Sequence, residues 1–403
     1  MNISHKLLNF LISTVIAISI ISLSYYENHW LAFWTFLNVP SQLPPFSDLD
    51  SINRALLSLK QGFNPYLENP NDISQTKYMY PKIWLYIFDI LNLKNAINFK
   101  IFCFVTIFLY SYSILNFSSV FKMKYLKIII ILFFLSTSNF ILLERLNIEI
   151  IIFIISWLLL STTNLFKELI MFTLIVLLKI FPIFSILAFI NDKKKFLTVF
   201  LSTVLIILIF YKDISLMRSN MIEYALIVAY GIGSMAKALY YYSVHLDYFI
   251  NDSNYFIFRN ILILLGICFS LIIFLTKFEL GKKYKYDQMD LDEKSLLFGG
   301  GIYIGTYITS ANIDYRLIFL LFTIPYVLNN LKNYYNFCYI FCFLVCINSF
   351  LFEGGNNYSF EYLIKAILVY GMKFYIFTYL LINFGKIINK YVVIDFKNFK
   401  FIN

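Results

Sequence analysis

Apolar runs approaching twenty residues recur along the whole 403-residue chain, and no other feature limits its fold as strongly. As a helix, such a run spans the roughly 30 Å hydrocarbon layer of a bilayer. Hydrophobic residues make up 60% of the sequence, charged residues only 14%, and mean hydropathy is +0.73. A soluble domain cannot hide that much apolar surface, so the chain reads as an all-α, polytopic membrane protein, one integral domain over 1–403. The pattern places spans at 7–27, 79–93, 97–119, 126–143, 148–163, 169–190, 196–211, 255–277, 296–311, 316–330, 335–352 and 360–386, a bundle of about twelve helices (range 10–13). The stretch around 7–21 lacks a small-residue cleavage site and reads as the first span.

The net charge of +10 sits in short interhelical loops, the pattern of positive-inside orientation, and no basic stripe points to nucleic acid. A cytosolic N-terminus keeps Lys193-Lys194-Lys195, the stretch 277–294 and the tail lysines (Lys386, Lys390, Lys397, Lys400) inside. The large polar loops 28–78 and 212–254 then fall outside; Lys122, Lys124 and Lys127 disagree. All five cysteines lie in apolar runs, Cys338, Cys342 and Cys346 on one helix face, and read as small buried hydrophobes. No pattern pairs them with the three histidines as a metal site requires. No paired, Gly/Pro-broken helices mark an inverted-repeat transporter, and no Gly-rich loop marks a nucleotide site.

In the first loop, 30–38 is aromatic and apolar but too short to span, which suits the membrane interface. Leu49, Ile52, Ala55, Leu56 and Leu59 then recur at helical spacing. They predict a short amphipathic helix on the bilayer surface, ended by Gly62. Ser47 is placed to cap it, with Asp50 three residues on in a capping-box position, so Asp50 has a structural reading through the helix dipole. The cap does not need Asp48. At the boundary between lipid and water, its carboxylate could meet both a sugar hydroxyl and a lipid phosphate, and serve as a general base. A divalent metal held by Asp48 and Asp50 is a further option resting on two carboxylates alone.

Other charges interrupt the spans. Lys179 falls inside 169–190, where a lysine costs on the order of 2.5–3.5 kcal/mol unless it pairs or faces a cavity. It reads either as a cation for a phosphate or as the partner of Glu144 or Glu149. Glu144-Arg145 marks either a tight turn or the polar floor of a cavity. Arg316 could grip a phosphate through two parallel hydrogen bonds or snorkel to the interface. The loop 212–254 carries Lys212, Arg218, Glu223, Lys237, Tyr240-Tyr241-Tyr242 and His245. Its 221–239 stretch reads as an interfacial lid, and its tyrosines as a sugar-stacking groove or an aromatic belt.

Four segments occur in a familiar order: Asp48…Ala55…Gly62-Phe63-Asn64-Pro65-Tyr66…Tyr80-Pro81; Glu144-Arg145-Leu146-Asn147-Ile148-Glu149; Leu178-Lys179-Ile180-Phe181-Pro182; and Asn312-Ile313-Asp314-Tyr315-Arg316-Leu317. Together they resemble glycosyltransferase family 87 of the GT-C superfamily, polyprenol-phosphate-sugar-dependent enzymes. The chain departs from the pattern at Lys82, where the family has a second proline, at Leu146, where it has glycine, and at Ile52-Asn53, near its loop tyrosine. The resemblance implies a GT-C-like bundle in the cell membrane and transfer of a monosaccharide, mannose or arabinose, from a polyprenyl-phosphate carrier to a glycan or glycolipid acceptor outside. It implies catalysis by Asp48 with Asp50 beside it, and no cofactor. Arg316, Lys179 and Arg218 would bind the donor phosphate; Tyr66, Tyr80, Glu144, Arg145 and Asn147 would bind substrate. A polysaccharide polymerase or ligase, and a lipid-linked-sugar flippase or transporter, are the competing expectations.

Overall fold

The computed structural model describes residues 3–73, 75–121, 123, 125–220, 229–245, 252–277, 289–309, 312–352 and 360–391. Lys122, Lys124, Glu223, Lys397 and Lys400, most of 277–294, and the side chains of Arg218, Tyr241, Tyr242 and His245 lie outside the described residues. The described residues are 79% helical with almost no sheet, as the apolar periodicity of the sequence requires. Among the described residues, three helical stretches are long and apolar enough to cross a bilayer: His5–Leu23, Ala96–Phe121 and Ile364–Tyr391. Two bent pairs raise the number to five if each is one crossing. Glu149–Ser161, Ile257–Ile273 and Tyr334–Cys346 are apolar but shorter. The segments expected at 79–93, 169–190 and 316–330 contain helices too short to span, interrupted by turns and 3-10 geometry.

The chain folds as two compact units, the first comprising 1–182 and 201–222, the second 183–200 and 223–403. In the first unit, α1 (Ile3–Leu23) packs along α5 (Ala96–Phe121). Between them in sequence come α2 (Glu27–Phe36), α3 (Ser47–Lys60) and α4 (Ile83–Ile90). The apolar run 126–143 is broken: α6 (Leu126–Phe134) and α7 (Thr137–Arg145) meet at 53°. Ser136 explains the break, because its hydroxyl accepts from the Asn139 N–H and caps α7 as a new helix. α8 (Glu149–Ser161) and α9 (Leu165–Leu178) follow and pack together. α9 stops where Lys179 turns extended (φ −162°, ψ 138°), three residues before Pro182. The freed Leu178 carbonyl accepts from the Trp84 indole at 2.9 Å. Lys179 therefore lies at a helix break, and not in the middle of a continuous span. One of the three boundaries between the units falls inside α10 (Lys193–Ile209), and α11 (Tyr211–Ser219) belongs to the first.

Two expectations for α3 need correction. Of its expected apolar face, Leu49, Ile52, Ala55 and Leu56 are buried against protein, with α4 and α7 as the packing neighbours, and Leu59 is exposed. Ser47 is its first helical residue, not its cap; the residue before it, Phe46, takes a left-handed conformation (φ 64°). The end is as expected: Gly62 adopts φ +92°, and the Phe63 N–H donates back to the Ser58 carbonyl at 3.1 Å, closing a Schellman-type turn.

In the second unit, β1 (Ala229–Tyr230) pairs antiparallel with β2 (Asn312–Ile313), Tyr230 opposite Asn312. α12 (Ile232–His245) and α13 (Asp252–Lys277) precede α14 (Leu291–Thr309). α14 carries Gly299, Gly300 and Gly301 in succession. A methyl at Gly299 would meet the Phe319 carbonyl, one at Gly300 the Phe384 ring, and one at Gly301 the Phe184 carbonyl. α15 (Ile324–Asn329), α16 (Tyr334–Cys346) and α17 (Phe360–Tyr391) complete the unit. Cys342 and Cys346 are buried on α16, with no disulfide among the described residues. Lys373, midway along α17, donates to Asp314 Oδ2 (2.7 Å) and to the Ala229 carbonyl (2.9 Å); both charged side chains are fully buried.

Candidate active site

The first unit gathers the charged residues of three of the four motif segments. Two left-handed turns place them. At Phe46 the chain enters α3, and the Phe46 N–H donates to the Glu144 carbonyl at 3.2 Å while its ring stands edge-on to Trp30. That tie fixes the first turn of α3, with Asp48, against the end of α7. At Leu146 (φ 47°, ψ 51°) the chain reverses from α7 into α8. Glycine takes such angles without strain, whereas here they fall on a leucine.

Beyond that turn, Asn147 organises the cluster. Its Oδ1 accepts from the Glu149 N–H (3.1 Å), which turns its Nδ2 toward Asp48. Nδ2 donates to Asp48 Oδ2 at 2.6 Å and to the Tyr80 hydroxyl at 3.3 Å. Arg145 stands between two carboxylates, Asp48 Oδ1 at 3.9 Å and Glu144 Oε2 at 3.8 Å. Both separations are ion-pair distances, longer than a hydrogen bond. Asp48 and Arg145 keep 18% and 15% of their side-chain surface exposed, so this pair is reachable from outside the fold.

Glu144 is fully buried and occupied by its support role. Its Oε1 accepts from the Gln42 N–H (2.8 Å) and the Trp30 indole (3.4 Å), pinning the 30–46 segment. Lys179 donates to the fully buried Glu149 at 2.9 Å, and its ammonium lies 5.4 Å from the Tyr80 ring centroid and 5.6 Å from that of Phe181. Of its two readings from sequence, the buried-pair reading describes this geometry. Tyr66 is buried, and its hydroxyl donates to the Tyr80 carbonyl at 2.8 Å. Burial, with the Asp213 carboxylate adding to it, pushes the Tyr66 phenol up, so it stays a neutral donor.

Asp50 points away from this cluster, to Arg54 one turn on at 2.5 Å, and Arg54 also donates to the Asn71 carbonyl. Asp48 and Asp50 therefore serve different partners. Among the described residues no group of three or more His, Cys, Asp and Glu side chains gathers as a metal site. Arg316 belongs to the second unit, where its guanidinium donates to Asn312 Oδ1. Arg218 lies on α11, and its side chain is outside those described.

No family model, curated protein or solved structure matches this chain.

Sequence reasoning missed Trp30 and Gln42 as the anchors of Glu144. Gln42 acts through its backbone N–H, which no side-chain pattern reports. Lys100 was also missed: at the start of α5 it donates to Ser24 Oγ (2.6 Å) and lies 5.2 Å from the centroid of the Phe46 ring. A lysine at the first turn of an apolar helix was its only signal. Beside the cluster, a small apolar hollow is walled by Pro81, Val176, Ile180, Ile206 and Phe210, with Lys82 and Asp213 also lining it.

Proposed function

We propose that this protein is a membrane-embedded glycosyltransferase resembling family 87 of the GT-C superfamily. It moves a monosaccharide from a polyprenyl-phosphate carrier to a glycan or glycolipid on the outer face of the cell membrane. The observation that carries the reading is the convergence of Asp48, Tyr80, Arg145, Asn147, Glu149 and Lys179. These residues come from three separate motif segments yet form one connected polar cluster beside an apolar hollow. A cluster of this kind, within a chain of long apolar helices, suits an amphiphilic substrate. In this reading the bent and shorter apolar helices complete a bundle of about twelve crossings, with α3 at the extracytoplasmic side.

In the reaction, the acceptor oxygen forms a bond to the anomeric carbon as its proton passes to Asp48. The bond from that carbon to the carrier phosphate oxygen breaks, and the electron pair leaves with the phosphate. Asn147 holds one carboxylate oxygen of Asp48 by donation, so the other is directed to the acceptor hydroxyl. Arg145 is the cation for the departing phosphate: a guanidinium offers paired donors, and its side chain, partly exposed, lies beside Asp48. Lys179, neutralised by Glu149, orients Tyr80. Direct displacement inverts the configuration at the anomeric carbon. The near end of the carrier's hydrocarbon lies along the hollow at Pro81 and Ile180, where each methylene removed from water contributes ~0.8 kcal/mol.

The test is transfer from a radiolabelled polyprenyl-phosphate sugar by purified Asp48→Asn and Asp50→Asn proteins in lipid nanodiscs. Asp48→Asn loses transfer by at least about 100-fold, in the range seen when a general base is removed. Asp50→Asn, which breaks the pair with Arg54, retains most activity. Full activity of Asp48→Asn would overturn the assignment.

A further inference from the structure

Asn220 lies just past the end of α11 and belongs to none of the four motif segments. Its side-chain amide donates to two backbone carbonyls of the loop that precedes α4: Tyr66 O at 2.9 Å and Tyr78 O at 3.1 Å. A carboxamide nitrogen carries two hydrogens, and here each has its own acceptor. The loop between those carbonyls holds the aromatic set of the site. The Tyr66 and Tyr78 rings are 5.2 Å apart, those of Tyr78 and Tyr80 5.9 Å, and the Tyr66 hydroxyl donates to the Tyr80 carbonyl. The Tyr80 hydroxyl in turn accepts from the Asn147 nitrogen that holds Asp48.

We infer that Asn220 is a positioning residue: it binds the two arms of the 66–78 loop together and so fixes Tyr80, Asn147 and the Asp48 carboxylate without touching substrate. Its catalytic consequence rests on the transferase reading; the bracing itself does not. The chemistry of the brace makes it selective. Aspartate has the same size and shape as asparagine but presents only acceptor atoms, so both hydrogen bonds become contacts between oxygens. Glutamine keeps the two donors on a longer arm. Asn220 is half-exposed, at the end of a helix, so neither change opens a cavity in the core. A misplacement of about 1 Å at reacting groups slows chemistry on the order of 100-fold.

The experiment compares full-length wild type, Asn220→Asp and Asn220→Gln in nanodiscs by two measurements. The first is transfer kinetics, with polyprenyl-phosphate mannose and polyprenyl-phosphate arabinose as parallel donors. The second is amide hydrogen exchange over 64–81, followed by mass spectrometry. Asn220→Asp is expected to lower kcat about 10- to 100-fold, with KM for the donor within about threefold, and to speed exchange within 64–81 alone. Asn220→Gln is expected to recover much of both. A role in filling space predicts the opposite order, with the isosteric aspartate milder. Unchanged exchange in Asn220→Asp overturns the inference, as does faster exchange with unchanged kcat. If wild type transfers neither sugar, the transferase reading falls, and the exchange result alone decides whether Asn220 braces the loop.

Discussion

Replacing Lys179 by methionine tests the buried architecture of the cluster directly. Its ammonium sits 2.9 Å from a Glu149 carboxylate with no exposed surface. At an effective dielectric of about 20, two unit charges at that distance attract by about 6 kcal/mol, most of it offset by the cost of removing both from water. Truncating one partner leaves the other charge buried and uncompensated, so Lys179→Met is expected to cost about 3–5 kcal/mol. Removing both, in Lys179→Met with Glu149→Leu, should restore at least about 2 kcal/mol of that loss, because a neutral apolar pair needs no compensation. Reversible unfolding in mixed micelles, with wild type, both singles and the double closing a thermodynamic cycle, measures the coupling. A coupling below about 1 kcal/mol, within what an exposed pair gives, or a double variant weaker than either single, would refute the argument. The stable double variant also separates structure from chemistry: with Arg145 as the phosphate cation it should keep transfer within about tenfold of wild type. Complete loss would return Lys179 to the phosphate.

Two other expectations follow from the second unit. Gly301→Ala directs its methyl into the Phe184 carbonyl, a backbone atom that cannot rotate aside, and should destabilise the protein by about 1–3 kcal/mol. Gly371→Ala on α17, where an added methyl meets nothing, should be neutral or stabilising by up to about 1 kcal/mol, and equal thermal unfolding of the two variants would contradict the packing. Lys373→Met strips the buried Asp314 of its ammonium and should cost about 3–5 kcal/mol, with Asp314→Asn added to it recovering part; an unaltered unfolding midpoint in the single variant would count against the pair.

Helix content and the apolar helices were legible in the sequence because burial in lipid or protein demands the same composition. The breaks were not. Ser136, Thr137 and Ser138 stand in plain view, but inside a long apolar run three small polar residues do not by themselves separate a continuous helix from two short ones. Lys179 read as mid-span because the leucines before it and Phe181 after it are equally apolar; Pro182 was the available sign of the end of α9. The helical spacing of α3 gave four of its five expected face residues as buried, Leu59 being exposed, but a pattern says that a face is buried and not whether lipid or protein buries it. Within the site, Asp48, Tyr80, Arg145 and Asn147 stood out as charged or polar residues in short motifs, and the structure brings them together. Lys373 escaped notice although it sits alone in an apolar run, because its partner Asp314 lies 59 positions away and only folding joins them.

Successive residues on a helix point about 100° apart, so the three adjacent glycines of α14 present bare backbone in three directions. In each direction a neighbour occupies the space a side chain would need: Phe319 on one side, Phe384 on the next, Phe184 on the third. A shaft keyed on three sides has no free axis of rotation, and sliding by one residue would drive Phe298 or Ile302 into a slot that now holds only a hydrogen. Any rearrangement of this unit must therefore carry α14 and its three neighbours as one body, with movement relegated to the joints at their ends.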